Sequence, residues 1–220
     1  PPLVSVCTGT CNRLPLLKTM IASIRETCKH SLEFVIADGA STDGTPQWLK
    51  KQPDVIPILQ KEKLGAVNAF NACFSRARGK YIFAANDDCE IIGDVIGQAV
   101  RQLENDETIG QVAVPFQDPC DEKPHYDYVF LGKQLWRYAN FAVTRGFLVK
   151  RFGGWSNLYH RYAGDCHLSM QIHNAGLKVA DLVGGGFIKH LRAEDSTRQE
   201  NIDSEIFFRY WKNWTGKGGI

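Results

Sequence analysis

The segment Tyr81–Glu90, with the sequence YIFAANDDCE, decides the fold class of this chain. Its first five residues are apolar and rich in β-formers, which predicts a buried strand. The strand ends abruptly at Asn86-Asp87-Asp88, and a further carboxylate follows at Glu90. Clustered carboxylates repel one another and resist desolvation, so this arrangement favours a bound divalent cation. Oxygen ligands without thiolates indicate Mg²⁺ or Mn²⁺, and such an ion would hold a phosphorylated ligand.

A solvated acidic turn is the alternative interpretation of the same residues. Asp is a common turn residue, and Asp94 has the side chain of an N-cap for a helix that follows. Because short acidic turns are frequent, the segment taken alone leaves both interpretations open.

Composition limits the classes of protein to consider. The chain has 220 residues, enough for one large domain or a domain with a small annex. Its formal net charge is +2, which offers no strong field for nucleic acid or an anionic membrane. No apolar run approaches the roughly 20 residues of a spanning helix. The seven cysteines include no C-x-x-C pair and indicate a reducing, cytoplasmic environment. A start at Pro1-Pro2 is compatible with a piece of a longer multidomain protein.

Strands and helices alternate through the first half of the sequence. Apolar β-forming runs predict strands at 3–8, 32–37, 55–59, 81–85 and 111–114. Helical periodicity predicts helices at 14–24, from 45, at 66–77 and at 94–103. This alternation predicts an α/β fold, with a mostly parallel central sheet covered by helices on both faces.

The second half is less regular. Residues 115–137 are rich in proline and acids, and we expect a long functional loop there. The pattern predicts one or two strands at 141–149, a helix at 165–175 and a strand at 187–190. A final helix from about Ser204 carries one apolar stripe of Ile206, Phe207, Tyr210, Trp211 and Trp214. We expect this stripe to complete a core or meet a neighbouring domain. Contact with a membrane surface is the alternative.

Three polar loops follow the first, second and fourth predicted strands, at 8–13, 38–45 and 86–90. The carboxyl ends of parallel strands lie at one edge of the sheet, where ligands bind in open α/β folds. Hydroxyls, an Asn, an Arg and several carboxylates therefore come together, as a nucleoside diphosphate requires. No G-x-G-x-x-G follows the first strand and no G-x-x-x-x-G-K-[S/T] is present. Carboxylates acting through a metal ion would then have to handle the phosphates.

These motifs together resemble a GT-A glycosyltransferase of family 2, over roughly residues 3 to 192. The matching segments are Val4-Ser5-Val6 with Asn12-Arg13, Val35–Thr45 (VIADGASTDGT), Leu64–Asn71 (LGAVNAFN), Ala77–Ile82 (ARGKYI), Asn86-Asp87-Asp88, Phe152–Trp155 (FGGW), Gly164–Leu168 (GDCHL) and Asn174–Leu177 (NAGL). Asn86-Asp87-Asp88 stands in the register of the family's D-x-D motif.

The resemblance implies a single GT-A domain over 1–220. Residues 1–115 would bind the nucleotide sugar and 116–200 the acceptor, with an aromatic helix and tail at 201–220. The implied reaction is inverting transfer of a sugar to an acceptor hydroxyl, on a glycan or another molecule, with a UDP-sugar as the default donor and Mn²⁺ or Mg²⁺ as cofactor.

Motif positions imply a role for each candidate site residue. Asp165 would be the general base, and Asp88 would hold the metal, with His190 completing its shell. Trp155 and His167 would lie on the acceptor side. The remaining nucleotide-sugar contacts would be Thr8 and Arg13 in the pocket, Asp38 at the base, Asn68 near the nucleotide, Asn86 at the ribose and Asp87 beside Asp88.

The sequence departs from the family pattern at two positions and leaves some roles open. Gly164 replaces the family's Glu and His167 replaces its second acid, which puts acceptor recognition in question. His167 is open between a helix-surface residue, an acceptor contact and a partner of Asp165. His190 is open between a metal ligand and a partly buried structural His. Lys189 and Arg192 are open between phosphate contacts and a solvated basic rim.

Two other classes of protein remain as alternatives. A sugar nucleotidyltransferase shares the α/β design, although the loop at 8–13 has one Gly instead of that class's Gly-rich sequence. A non-catalytic module that binds nucleotide sugars would tolerate the altered motif at Gly164.

Overall fold

The computed structural model describes residues 1–191 and 202–214. The strands are β1 (Val4–Thr10), β2 (Leu32–Asp38), β3 (Val55–Leu59), β4 (Tyr81–Ala84), β5 (Cys89–Ile92), β6 (Ile109–Ala113), β7 (Phe116–Gln117), β8 (Tyr128–Leu131), β9 (Gln134–Arg137), β10 (Ala142–Arg145), β11 (Lys178–Asp181) and β12 (Phe187–His190). The helices are α1 (Leu14–Thr27), α2 (Thr45–Leu49), α3 (Ala66–Arg76), α4 (Val95–Asn105), α5 (Gly146–Arg151), α6 (Gly164–Asn174) and α7 (Ile202–Tyr210). Arg192 and the tail after Trp214 lie outside the described residues.

The main sheet has the strand order β11-β6-β10-β4-β1-β2-β3. β1 pairs in parallel with both β2 and β4, and its last residue, Thr10, is in register with Asp38 at the end of β2. β10 is antiparallel to both of its neighbours, β4 and β6. The predicted α/β fold with a mostly parallel sheet is therefore confirmed.

Helices cover both faces of this sheet because each buried strand presents alternate side chains to opposite sides. In β2, Phe34 and Ile36 pack in one core with residues of α1 and α4. Val35 and Ala37, between them in sequence, pack in a second core with α3, α5, α6 and α7.

The predicted long loop at 115–137 is wrong. This segment contains β7 and an antiparallel hairpin of β8 and β9. Gly132 and Lys133 connect the two strands, and both have positive φ, of 57° and 72°. Positive φ at both central residues gives the tight turn that matches the twist of a hairpin. Three prolines and several acids at the start of the segment obscured the short alternating strands.

Two further boundaries differ from the sequence prediction. The apolar run at 141–149 forms only one strand, β10, and then turns into helix α5. The acidic loop after β4 is shorter than expected, since β5 begins at Cys89. In both places, pairing with a distant strand decided the conformation of a short apolar run.

The aromatic stripe near the C-terminus packs against the protein. Phe207, Trp211 and Trp214 are buried in the second core, whereas Tyr210 is exposed. Asp203 accepts hydrogen bonds from three successive backbone N–H groups, of His160, Arg161 and Tyr162. The helix α7 thereby fixes the loop that precedes α6. Every helix in the described part of the chain is too short or too polar to span a lipid bilayer.

Gly79 is required for the pairing of β4 with β1, and its replacement tests this. A Cβ at Gly79 would lie 2.5 Å from the backbone nitrogen of Ser5 and 2.7 Å from the carbonyl oxygen of Tyr81. We expect Gly79→Ala to lower the free energy of unfolding by roughly 1–3 kcal/mol, because backbone atoms would have to move. Urea unfolding measures this change.

Gly185→Ala is the matched control, since a Cβ at Gly185 would meet nothing within 4 Å. It should change stability by about 0.5 kcal/mol or less. Equal stability of the two variants would contradict the close approach of β4 to β1.

Candidate active site

The loops that follow β1 and β2 form one hydrogen-bonded unit. Asn12 donates its backbone N–H to the Ser41 hydroxyl at 2.8 Å, and its side-chain oxygen accepts from the Thr42 N–H at 2.7 Å. Asp43 accepts from the N–H of Leu14 at the start of α1 and from the N–H of Thr45 at the start of α2. The S-T-D-G-T segment therefore serves to cap two helices and join two loops.

Asp38 lies at the end of β2, inside this unit. Its Oδ2 accepts from the Ser41 backbone N–H at 3.2 Å. Its Oδ1 is buried and has no hydrogen-bond partner among the described residues. A buried carboxylate oxygen without a donor is costly, so a donor group of a ligand would be favourable there.

The acidic end of β4 is held by Arg13. The Nη1 of Arg13 lies 3.1 Å from Oδ1 of Asp87 and 3.0 Å from Oδ2 of Asp88. Burial raises the pKa of Asp87, and the neighbouring Asp88 adds to this effect while Arg13 opposes it. The guanidinium thus offsets part of the repulsion that the sequence predicted.

A second small sheet brings His190 to the same place. Its strand order is β5-β12-β7, and His190 is in register with Cys89, the residue after Asp88. The Nε2 of His190 lies 3.8 Å from Oδ1 of Asp88 and 3.3 Å from the side-chain nitrogen of Asn86. Asp88 therefore faces Arg13 with one oxygen and His190 with the other.

The donor set at Asp88 and His190 fits a divalent metal ion. A carboxylate oxygen and an imidazole nitrogen, at a distance that one ion could bridge, suit Mn²⁺. Mg²⁺ prefers oxygen ligands alone and fits this pair less well. A different group, Asp118, Asp121 and His125, has ligand atoms within 4.8 Å of one another.

Asp165 lies in the first turn of α6 and faces the cleft. Its Oδ1 accepts from the Cys166 backbone N–H at 2.8 Å. Desolvation raises the pKa of Asp165 to about 6, and the negative charge of Asp127 adds to the shift. A carboxylate with a pKa near neutrality is suited to accept a proton.

The structure explains why Gly164 stands where the family has Glu. The ring of Trp155 lies against Gly164, and a Cβ there would come within 2.9 Å of it. Trp155 is itself fixed, since Asn71 exchanges two hydrogen bonds with its backbone at 2.7 and 2.8 Å. Its ring also stacks on Phe70, with centroids 4.2 Å apart. An indole thus fills the space that a side chain at position 164 would need.

These elements surround one cleft of about 890 Å³. Of the predicted site residues, the cleft is lined by Arg13, Asn86, Asp87, Asp88, Trp155, Asp165 and His190. Residues from both halves of the chain therefore face the same space, which is large enough for a nucleotide sugar.

Four predicted site residues do not line the cleft. Asp38 is 1% exposed and lies at the end of β2, between the cleft-lining residues Ala37 and Gly39. Thr8 is fully buried in β1, and the exposed Asn68 donates to the Leu64 carbonyl within α3. His167 is buried between Tyr159 and Trp211 and does not line the cleft. These contacts give His167 a position in the core, which was not among the three roles that the sequence left open.

Several residues lining the cleft were not singled out from the sequence. They are Tyr128, Tyr138, Asn140, His160, Tyr162 and Phe208. Tyr128 was hidden because its hairpin was predicted to be loop, and the others carry no local motif. Asp118, beside His190, was also missed, although the acidic, proline-rich composition of its segment pointed to a functional region.

Comparison with known proteins agrees with this geometry. The profile of the family described as Glycosyl transferase family 2 matches residues 5–166. The chain belongs to this family.

Individual proteins that match this chain share between 15% and 33% of its sequence over the matched residues. The chain is 33% identical over 92 residues to the putative teichuronic acid biosynthesis glycosyltransferase TuaG of Bacillus subtilis (strain 168), which covers 40% of this chain and 36% of that protein. A mannosyltransferase from Pyrobaculum calidifontis, solved with GDP-Man and Mn²⁺, is 21% identical with a TM-score of 0.69, covering 88% of this chain and 58% of that one. S. aureus TarS 1-349, solved with UDP-GlcNAc, is 15% identical with a TM-score of 0.68, covering 91% and 60%.

These structural matches show that the fold is the GT-A fold. The chain spans between about a third and three fifths of the length of these relatives.

The environment of His167 leads to a testable pKa. Its Nδ1 accepts from the Trp211 indole N–H at 3.2 Å and faces the Tyr159 hydroxyl at 2.8 Å. Burial lowers the pKa of His167 from 6.5 to about 4. We therefore expect a neutral ring, protonated at Nε2, at pH 5.5, and NMR of the imidazole nitrogens measures this. Because the unfolded chain takes up the proton first, this residue lowers the stability of the fold as pH falls from about 6.5 to 4.

Trp211→Phe is the control, since it removes the indole donor and keeps an aromatic ring. It should change the Nδ1 resonance without exposing the imidazole. A His167 ring that titrates near pH 6.5 in the folded wild type would contradict its buried placement.

Proposed function

We propose that this chain is a hexosyltransferase that moves a sugar from a nucleotide sugar to an acceptor hydroxyl with inversion. The observation that carries the proposal is that Asp88 and Asp165 face one cleft. Asp88 offers a metal-binding carboxylate, and Asp165 has a pKa of about 6 that suits a general base. The family membership of the chain supports the same reaction.

The donor is proposed to bind across the carboxyl ends of β1, β2 and β4. The unpaired Oδ1 of Asp38 offers an acceptor for a donor group of the base, and Asn86 offers an amide for the ribose. A UDP-sugar is the default donor. UDP-GlcNAc is the ligand of one structural relative, and GDP-Man is the ligand of another.

The cofactor is proposed to be Mn²⁺, with Mg²⁺ as the second choice, held by Asp88 and His190. When bound, a divalent ion would neutralise the charge that develops on the departing diphosphate. Arg13 keeps Asp87 and Asp88 in place from the other side, so that Oδ1 of Asp88 stays turned toward His190. A structural relative contains Mn²⁺ together with GDP-Man, which supports this assignment.

The acceptor hydroxyl is proposed to give its proton to Asp165. Inversion requires a base on the face of the sugar opposite the leaving group, within about 3 Å of the hydroxyl. Asp165 comes from the second half of the chain, whereas Asp88 comes from the first, so the two can approach the sugar from different sides. Trp155 lines the cleft beside Asp165 and would offer an aromatic surface to a glycan acceptor.

The two alternative functions have less support from the site. A nucleotidyltransferase has no need of a carboxylate with a raised pKa on the acceptor side. A non-catalytic module would not need one either, because binding alone requires no proton acceptor. Hydrolysis of a nucleotide sugar with Mn²⁺ would distinguish the enzyme from the module, and release of pyrophosphate from a nucleoside triphosphate would reveal the nucleotidyltransferase.

Replacement of Asp165 tests the role of general base. Asp165→Asn keeps the hydrogen bond to the Cys166 N–H but cannot take a proton. We expect kcat for sugar transfer to fall about 10²–10⁴-fold while the donor affinity is retained. In the wild type, kcat/KM should rise with pH up to about 6, as the carboxylate ionises, and then level off.

Asp94→Asn is the matched control, since Asp94 caps α4 by accepting from the Gly97 N–H at 3.0 Å. It changes the same functional group at another helix start and should leave kcat nearly unchanged. Turnover of Asp165→Asn within severalfold of the wild type would remove the proposed base.

Replacement of Asp88 tests the metal site. We expect Asp88→Asn to weaken Mn²⁺-dependent binding of UDP at least about tenfold, or about 1.4 kcal/mol, because a charged ligand is lost. Titration calorimetry with and without Mn²⁺ measures this.

Asp54→Asn is its control. Asp54 also pairs with an arginine, at 2.6 Å from Arg25. It precedes β3 and therefore lies at the amino end of that strand, whereas the cleft lies at the carboxyl ends of the parallel strands. Equal Mn²⁺-dependent affinities of the two variants would show that Asp88 holds no metal.

A further inference from the structure

Asp118 lies directly beside His190 because of the register of the small sheet. β12 and β7 are parallel, with Ile188 opposite Phe116 and Lys189 opposite Gln117. The next residues along the two strands are His190 and Asp118. The Oδ1 of Asp118 lies 2.5 Å from the Nδ1 of His190, within hydrogen-bonding distance.

The ring of His190 is held on its other sides as well. It meets Phe141 edge-on, with centroids 5.2 Å apart, and Phe116 at 6.1 Å. Its Nε2 points away from Asp118, toward Oδ1 of Asp88 at 3.8 Å. The two nitrogens of one imidazole thus face two carboxylates, one at each end.

The two nitrogens cannot have the same role in a neutral ring. Asp118 accepts a hydrogen bond, so the proton belongs on Nδ1, and Nε2 then carries its lone pair toward Asp88. Histidines that bind metals commonly donate their second N–H to a carboxylate, which fixes the tautomer and the orientation of the ring.

We propose that Asp118 is the positioning residue that prepares His190 to bind the metal ion through Nε2. The inference rests on the proposed metal site at Asp88 and His190 and adds to it a residue from a separate segment of the chain. That segment connects β7 to the hairpin, so the second half of the chain helps to build the donor half of the cleft.

The neighbouring Asp121 and His125 do not explain the position of Asp118. Asp121 accepts from the Asp118 backbone N–H at 2.8 Å and donates its own N–H to the Asp118 carbonyl at 3.0 Å. His125 contacts the same carboxylate oxygen of Asp121, with Nδ1 at 3.1 Å from Oδ2. These bonds form a turn, and the Oδ1 of Asp118 is left to His190.

The test is a double-mutant cycle on the affinity for Mn²⁺ alone, measured from free Mn²⁺ by electron paramagnetic resonance. Asp118→Ala should weaken binding about 10–100-fold. Asp118→Asn, whose side-chain oxygen still accepts from Nδ1, should weaken it less. In a His190→Ala background, Asp118→Ala should cause no further loss, because Asp118 acts only through the ring.

A spectroscopic measurement without metal addresses the same point. Nitrogen NMR should show the His190 proton on Nδ1 in the wild type and in Asp118→Asn. In Asp118→Ala the ring should shift toward the Nε2-protonated tautomer. A purely structural role of Asp118 would leave the tautomer unchanged and would overturn the proposal, as would Nε2 protonation in the wild type.

His125→Gln is the matched control and should leave the affinity for Mn²⁺ unchanged. If His125→Gln weakens Mn²⁺ binding as much as Asp118→Ala does, Asp118 is itself a ligand and the proposal is wrong. The same conclusion follows if Asp118→Ala still weakens Mn²⁺ binding in the His190→Ala background. Thermal unfolding of each variant without metal establishes that it is folded, and Asp118→Asn carries the test if the Ala variant is not.

Failure of the proposed function gives a different result. If Asp88→Asn and His190→Ala both bind Mn²⁺ as the wild type does, the metal site itself is absent and the inference falls with it. If both weaken binding and Asp118→Ala does not, the metal site stands and only the role of Asp118 is overturned.

Discussion

Parallel pairing of β1 with β2 on one side and β4 on the other is the constraint on which the site depends. It places the ends of all three strands at one edge, with Thr10 in register with Asp38. β4 can approach β1 only because Gly79 has no side chain. The edge thus gathers polar residues that are distant in sequence, and no single loop could present all of them to one ligand.

Gathering carboxylates in this way creates a charge problem, which the structure solves locally. Arg13 comes from the loop after β1 and lies between Asp87 and Asp88. His190 approaches from the other side on β12, with Asp118 behind it. The guanidinium of Arg13 and the imidazole of His190 therefore flank the acidic pair, and Oδ1 of Asp88 is directed toward the imidazole.

On the acceptor side of the cleft, the catalytic candidate is controlled by burial instead of by neighbouring opposite charges. Among the described residues, no cation pairs with Asp165, and desolvation is the main cause of its raised pKa. Trp155 fills the space next to Gly164 and closes this side of the cleft. The loop before α6 is in turn fixed by Asp203 on α7, through three backbone hydrogen bonds. The C-terminal helix therefore supports the site without contributing a charged group to its centre.

The sequence by itself determined the α/β alternation, most helix and strand positions of the first half, and the candidate residues Asp88 and Asp165. These follow from local periodicity and from motifs, which are properties of neighbouring residues. Only the tertiary structure decided that 128–137 forms a hairpin, that His167 is buried in the core and that Asp118 meets His190. The hairpin depends on a turn between two short strands. The positions of His167 and Asp118 depend on packing or strand register between segments 40 or more residues apart. Such pairings gain their free energy from contacts that no local pattern in the sequence records.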